Sequence, residues 1–237
     1  MRIALFDRNE YDDVDQYARY GRVSVHTRFN AAAAADADVV VVTHSRPPDR
    51  AGAVIVNMAA GDRRHLSHVR HARVIHAREW NRHDVASFAI GRILERRPGR
   101  VGIVGAGRIG GLVGRFLAAR GVVVIYAHLG AVSMPPVDVL SLHFRGTDEG
   151  RRTAERLVLG QRAAFLVNTS RRTLVRDEIL RRGLVSGRVV GAALDGGREF
   201  PDPRVAVTGH VAWRGPRSRR LRPLRVMACL RAISDGE

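Results

Sequence analysis

The residues Gly105-Ala106-Gly107-Arg108-Ile109-Gly110 place three glycines at the spacing GxGxxG. That spacing suits a turn that bends sharply, exposes main chain to a large anion, and then packs a helix onto a strand. Gly105 is expected to make the bend, Gly107 to let a pyrophosphate approach the backbone, and Gly110 to bring helix and strand together. The helix that follows would add free N–H groups and the positive end of its dipole. Ile109, Leu112, Val113, Phe116 and Leu117 share one helical face, and Gly121 is placed to end that helix. Apolar runs at 101–104 and 122–126 read as the strands before and after. Strand, glycine turn, helix and strand within about thirty residues make a dinucleotide-binding fingerprint where the glycines alone would not.

The elements that must position such a turn are written on both sides of it. Strand-like runs fall at 3–6, 23–26, 39–42, 54–56 and 74–76, with a helix-forming alanine run at 31–35. A longer helical pattern spans 84–96, with Val85, Phe88, Ala89 and Ile93 on one face, and Pro98-Gly99 closes it. After the fingerprint come strands at 137–142, 164–167, 189–194 and 205–207, with helices near 152–159 and 176–182 between the first three. A final helix is expected over 221–233. Strands alternating with helices predict parallel sheets. The expected fold class is α/β, with two Rossmann-like or flavodoxin-like parallel-sheet domains and the cleft between them. The boundaries read as 1–82 with a C-terminal helix at about 217–237, and 83–216. Asp138 and Asp195 stand at strand starts or ends, where ligand-facing residues of such sheets collect.

Composition narrows the classes. The 237 residues are 45% hydrophobic, enough for a proper core, and contain no apolar run long enough to span a membrane. The chain opens on a strand rather than a signal peptide, so a cytoplasmic location is expected. One cysteine, Cys229, excludes an internal disulfide and a thiolate-rich metal site, and no metal is expected. The net charge is +17, yet all 40 basic residues are arginine and they are spread along the chain. Total absence of lysine fits a GC-rich bacterial genome better than a phosphate-binding surface. The dense run from Arg214 to Arg225 reads as the solvated face of the last helix. Aromatic residues are 5%, too few for stacking platforms, and nucleic acid is not the expected partner.

Five blocks in order carry a resemblance over almost the whole chain: 101–110, Val139-Leu-Ser-Leu-His143, Leu166-Val-Asn-Thr-Ser-Arg171, Gly191-Ala-Ala-Leu-Asp195 and Val207-Thr-Gly-His-Val-Ala-Trp213. Together they resemble the D-isomer-specific 2-hydroxyacid dehydrogenases, the family of phosphoglycerate dehydrogenase and glyoxylate/hydroxypyruvate reductase. The resemblance implies hydride transfer between NAD(P)H and a small 2-oxo acid, giving the (R)-2-hydroxy acid. It makes Arg171 the substrate-binding arginine, since a planar guanidinium holds a carboxylate bidentately. It makes His210 the acid/base, since an imidazole can both give and take a proton. Asp195 would lie by the nicotinamide carboxamide, and Arg108, Ile109 and Thr169 would join the three glycines in holding the cofactor. Main-chain N–H groups of Asn57, Ala59, Ala60 and Gly61 would meet the substrate carboxylate.

Three departures from the family matter. The glutamate that orients the family's histidine should stand at Phe200, and Glu199 sits one place early. Gly196 and Gly197 could re-register the loop, so Glu199 is expected to serve. No acidic residue occurs between Gly105 and Val137, where an NAD-specific fold wants a carboxylate for the ribose 2′-hydroxyl. His128 could hold a 2′-phosphate there, and NADP(H) is expected ahead of NAD(H). The family's dimer arm is missing before the fingerprint, so a homodimer is open along with a monomer. The displaced glutamate keeps an alternative alive: a catalytically weak dinucleotide-binding protein with a regulatory or scaffold role.

Overall fold

In the computed structural model, which describes residues 1–59, 64–77 and 79–236, the chain divides into two units. One comprises Met1–Asn81 with Pro216–Glu237, the other Arg82–Gly215. The first unit carries β1 (Arg2–Phe6), α1 (Val14–Tyr17), β2 (Arg22–His26), α2 (Ala31–Asp36), β3 (Val39–Val42), β4 (Val54–Asn57) and β5 (Arg73–His76). Its strands pair in parallel in the order β2-β1-β3-β4-β5. β3 is four valines, all buried, as a central strand covered on both faces requires. Asn30 caps α2, its side chain accepting the Ala33 N–H at 3.1 Å.

Strand order reverses between β1 and β3, and the crevice there is filled from within. Asp7, directly after β1, adopts a positive φ of 55°. Its carboxylate accepts the N–H groups of Thr43, His44 and Ser45 at 3.0, 2.7 and 2.6 Å, and the Ser45 hydroxyl at 2.6 Å. Burial pushes this carboxyl up, but the Ser45 hydroxyl and the three N–H groups outweigh it and hold it below the usual carboxylate range.

The second unit carries α3 (Arg82–Leu94), β6 (Arg100–Val104), α4 (Gly110–Ala118), β7 (Val123–Ala127), β8 (Val139–Leu142), α5 (Asp148–Gly160), β9 (Ala164–Asn168), α6 (Asp177–Val185), β10 (Val189–Asp195) and β11 (Val205–Thr208). All its strands are parallel, in the order β11-β10-β9-β8-β6-β7. No helix or further strand separates β7 from β8. Instead Met134 and Val137 of that connection join the core around Leu140, Leu157 and Leu166. The sheet therefore ends at β7. Asp138 is not ligand-facing: it precedes β8, at the opposite edge from the strand C-termini, and its carboxylate accepts the Gly99 and Arg100 N–H groups at 2.9 and 2.8 Å.

The chain then returns to the first unit with α7 (Pro216–Ser234), which starts close to the expected 217, ahead of the apolar pattern at 221–233, and contains Pro223. Its arginines are not all solvated. Arg222 is fully buried, with Nε and Nη2 on the Asp12 carboxylate at 3.0 and 3.1 Å, Nη2 also on Thr43 Oγ1 at 3.2 Å, and its plane 5.0 Å from the Trp80 ring. The Tyr17 hydroxyl also donates to Asp12, at 3.2 Å. This bidentate pair ties the last helix to the first loop. Among the described residues no helix is long and apolar enough to cross a membrane.

Two stability predictions follow from these carboxylates. Asp12→Ala strands the buried Arg222 charge and is expected to cost about 3–5 kcal/mol in urea unfolding. Asp7→Asn should be less stable than the parent at neutral pH, by about 1–3 kcal/mol. The Asp7 pKa is lowered on folding, so its contribution is present above the unfolded value and lost as pH falls through the folded one. The gap between parent and Asp7→Asn should therefore close in acid, which unfolding curves across that range will check.

Candidate functional site

The C-terminal edge of the second unit's sheet gathers the chemistry that the sequence points to. Gly105 leaves β6 with φ +92°, and a Cβ there would lie 2.8 Å from the His143 carbonyl oxygen. At Gly110 a Cβ would collide with the Gly105 carbonyl oxygen, so the start of α4 rests directly on the turn. At Gly107 no heavy atom lies within 4 Å of the Cβ position, leaving main chain open to a ligand. Ile109 precedes α4 in helical geometry and makes no side-chain cap; the Gly111 N–H donates to the Gly107 carbonyl at 2.8 Å, and the neighbouring first-turn N–H groups have no cap from Ile109. A glycine that the sequence reading passed over also matters: a Cβ on Gly114 would strike the Tyr126 hydroxyl, so α4 meets β7 as closely as it meets β6.

Behind the turn stands His143, immediately after β8. Burial pushes its imidazole down to about 4, so it is neutral and adds no charge to the site. Its Nε2 lies 2.8 Å from Ser141 Oγ. On the far side, His128 follows β7, is exposed, and donates from Nδ1 to the Leu129 carbonyl at 2.7 Å. That bond leaves Nε2 as the ring nitrogen that could meet a ligand.

After β9 the backbone is shaped by Asn168, to which the sequence reading gave no role. Its Oδ1 accepts the Ser170 N–H at 3.0 Å, its Nδ2 donates to the Arg171 carbonyl at 2.9 Å, and Ser170 Oγ donates to the Leu142 carbonyl at 2.9 Å. Thr169 is buried, and its Oγ1 has no hydrogen-bond partner among the described residues. The two neighbouring arginines separate by environment. Arg172 is committed to the Val175 carbonyl and Asp177. Arg171 is exposed and hydrogen-bonds only to the Ser170 carbonyl among the described residues, at 3.0 Å.

Asp195, at the end of β10, is 3% exposed and organises the loop after β11. Oδ1 accepts the Thr208 hydroxyl and the Val211 N–H, both at 2.7 Å, and Oδ2 accepts the Ala212 N–H at 3.1 Å. His210 lies within that loop with φ +57°, a side chain 57% exposed, and Nδ1 3.5 Å from Asp195 Oδ2. An αL conformation at a non-glycine residue is the kind of strain found where a side chain must be aimed.

The expected partner for His210 is corrected here. No hydrogen bond or ion pair joins Glu199 to His210 among the described residues. Glu199 is exposed and lines a shallow cavity of about 320 Å³ with Phe200, Asp202, Pro203, Val205 and Val207. Phe200 is buried in the core, with the Arg172 and Arg181 guanidiniums 5.9 and 5.8 Å from its ring centroid. Gly196 and Gly197 do not re-register the loop toward the histidine; their Cα atoms face the His210 ring and the Arg172 side chain. The carboxylate beside His210 is Asp195. Burial of the aromatic ring at 200 decides this, because turning the loop to present Glu199 would pull Phe200 into water.

In the first unit, Asn57 ends β4 fully buried, and Ala59 is buried beside it. Ala60 and Gly61 lie outside the described residues.

The parallel sheet, the glycine turn and the open backbone at Gly107 define a Rossmann-like α/β protein. Residues 56–212 match the family described as D-isomer specific 2-hydroxyacid dehydrogenase, NAD binding domain, and the chain belongs to that family. A glycerate dehydrogenase of Methylorubrum extorquens is 27% identical over 166 residues, covering 61% of this chain and 53% of that protein. A D-lactate dehydrogenase of Treponema pallidum is 33% identical over 127 residues, covering 47% of this chain and 38% of that protein. The chain thus spans about half or less of the length of these relatives. Among solved structures, an NADPH-dependent glyoxylate/hydroxypyruvate reductase from Sinorhizobium meliloti shares the fold with a TM-score of 0.74 at 19% identity, over 98% of this chain and 92% of that one.

The turn separates two kinds of glycine experimentally. Gly107→Ala should fold with unchanged thermal stability, because its Cβ meets nothing, yet lose about tenfold or more in dinucleotide affinity by calorimetry as the close approach is blocked. Gly110→Ala should lose both affinity and thermal stability.

Proposed function

We propose that this protein reduces a small 2-oxo acid to the (R)-2-hydroxy acid, using a nicotinamide dinucleotide held on the Gly105–Gly110 turn. The observation that carries the reading is the Asp195-organised loop that aims His210 beside the sheet edge where the turn and Arg171 also emerge. The residues fit the cofactor: the backbone at Gly107 is open, and Thr169 Oγ1 is a buried hydroxyl without a partner among the described residues. When bound, the dinucleotide would supply the hydride. Arg171 would hold the substrate carboxylate through its fork of N–H donors and polarise the adjacent ketone. His210 would donate the proton that the carbonyl oxygen needs as carbon is reduced. Asp195 would orient the imidazole through Nδ1.

The acid-free stretch after the turn and the His128 ring at the end of β7 support NADP(H) ahead of NAD(H). One observation favours a second reading, a dinucleotide-binding protein of weak activity. The family's orienting glutamate is replaced by buried Phe200, and Asp195 must share its oxygens with three other donors.

The test is a panel of 2-oxo acids, including glyoxylate, hydroxypyruvate and pyruvate, assayed with NADPH and NADH. Turnover of at least one acid is expected, faster at limiting NADPH; dinucleotide binding with no turnover favours the second reading, and a strong NADH preference removes the NADP assignment. His210→Ala should lower kcat by about 10²–10⁴-fold. Glu199→Ala should leave kcat and its pH profile unchanged, since that carboxylate does not reach the imidazole.

A further inference from the structure

β7 ends the second unit's sheet, and only one of its sides is paired. The Val123 N–H donates to the Gly99 carbonyl at 3.0 Å, and the Ala127 carbonyl accepts the Gly105 N–H at 2.9 Å. Val123, Ile125 and Ala127 therefore turn their main-chain groups to β6. Direction alternates along a strand, so Val124 and Tyr126 turn theirs outward, where no described residue meets them. An edge of this kind takes up a further strand unless charge, proline or brevity protects it. The first unit's edges are protected: β2 holds Arg22 and His26, and β5 holds Arg73 and His76. β11 spans four residues and lies beside Glu199, Asp202 and Pro203. β7 is Val-Val-Ile-Tyr-Ala, with no charge, no proline and an unbroken register on β6. Exposed apolar surface gathers there too: Val123, Tyr126, Leu129 and Val132 are four of the ten large hydrophobic residues exposed among those described.

Charge selects the strand that fits. With a net charge of +17, two copies of the chain repel each other except along an uncharged stripe such as this one. The ends of the stripe carry opposite charges. Before β7 stands Arg120, its guanidinium 3.5 Å from the Phe116 ring centroid; after β7, Glu149 Oε1 lies 3.4 Å from the Cβ position of Gly130. Neither has an ion-pair partner among the described residues. We propose that β7 is a homodimer seam, at which two copies pair antiparallel about a two-fold axis at Ile125 and join their sheets into one. In that register Val124 stands opposite Tyr126 of the second copy, and the two exchange both of their outward main-chain bonds. The same register sets Arg120 opposite Gly130 of the second copy, so each positive end meets the end that carries Glu149. A parallel copy would bring like ends together. The contact is self-complementary and uses up the edge, so assembly closes at two copies. It is independent of the reaction proposed above.

The experiment follows the full chain by analytical ultracentrifugation over a range of concentrations, with residue-resolved amide hydrogen exchange at both ends of that range. A monomer–dimer equilibrium is expected. The Val124 and Tyr126 amides should lose protection on dilution, while those of Val123 and Ile125, bonded to β6, keep theirs. Val124→Pro removes an outward donor and no bond to β6, so it should weaken dimerisation at least about tenfold. Val123→Lys sets a charge at an exposed site on the strand and should weaken it likewise. Circular dichroism and thermal unfolding establish that each variant is folded; if Val124→Pro is not, Val123→Lys alone decides. A parent that stays monomeric at every concentration overturns the proposal. So does a dimer whose Val124 and Tyr126 amides exchange freely, a dimer that the folded variants retain at parental strength, or growth beyond two copies.

Discussion

The contact on which the second unit depends is the approach of α4 to the turn beneath it. The helix begins so near the Gly105 carbonyl that no side-chain carbon fits at Gly110, and a side chain at Gly114 would have to displace the Tyr126 ring. That closeness places the first-turn N–H groups at the C-terminal edge of the sheet rather than over its middle. The pairing of β6 with β7 and β8 sets where His128 and His143 leave the sheet. A neutral, half-buried His143 then walls the turn without competing for an anion.

The two units answer one topological problem in opposite ways. In each, the residue after the first strand takes positive φ at the point where strand order reverses, Asp7 in one and Gly105 in the other. Parallel strands leave N–H groups pointing into such a crevice, and something anionic must meet them. At Asp7 the chain supplies its own carboxylate to Thr43, His44 and Ser45, so those N–H groups are already met. At Gly105 there is no side chain, and the place is left for a phosphate. The same contrast separates the arginines: Arg222 and Arg172 are spent on Asp12 and Asp177, while Arg171 stays available.

Much of this was legible in the residues. Strand runs, glycine spacing and five ordered motifs identified parallel sheets, a dinucleotide turn and a family that residues 56–212 match. Those signals are local, because a strand's apolar run and a turn's glycines are imposed by backbone geometry within a few residues. Three readings failed, and each depended on a partner distant in sequence. Asp138 looked ligand-facing until its partners proved to be Gly99 and Arg100 at the opposite sheet edge. Arg222 looked solvated until Asp12, 210 residues away, engaged its Nε and Nη2 in the interior. Glu199 looked like the orienting carboxylate until the burial of Phe200 turned it outward.

By itself, then, the sequence determined which elements form, which turn can admit a phosphate, and which family's motifs the chain carries. The tertiary structure decided which carboxylate stands beside His210 and which arginine is left exposed. The reason is physical. Backbone conformation follows from neighbours along the chain, but the availability of a charge or a proton follows from what is packed against it, and burial brings together groups that no spacing along the chain relates.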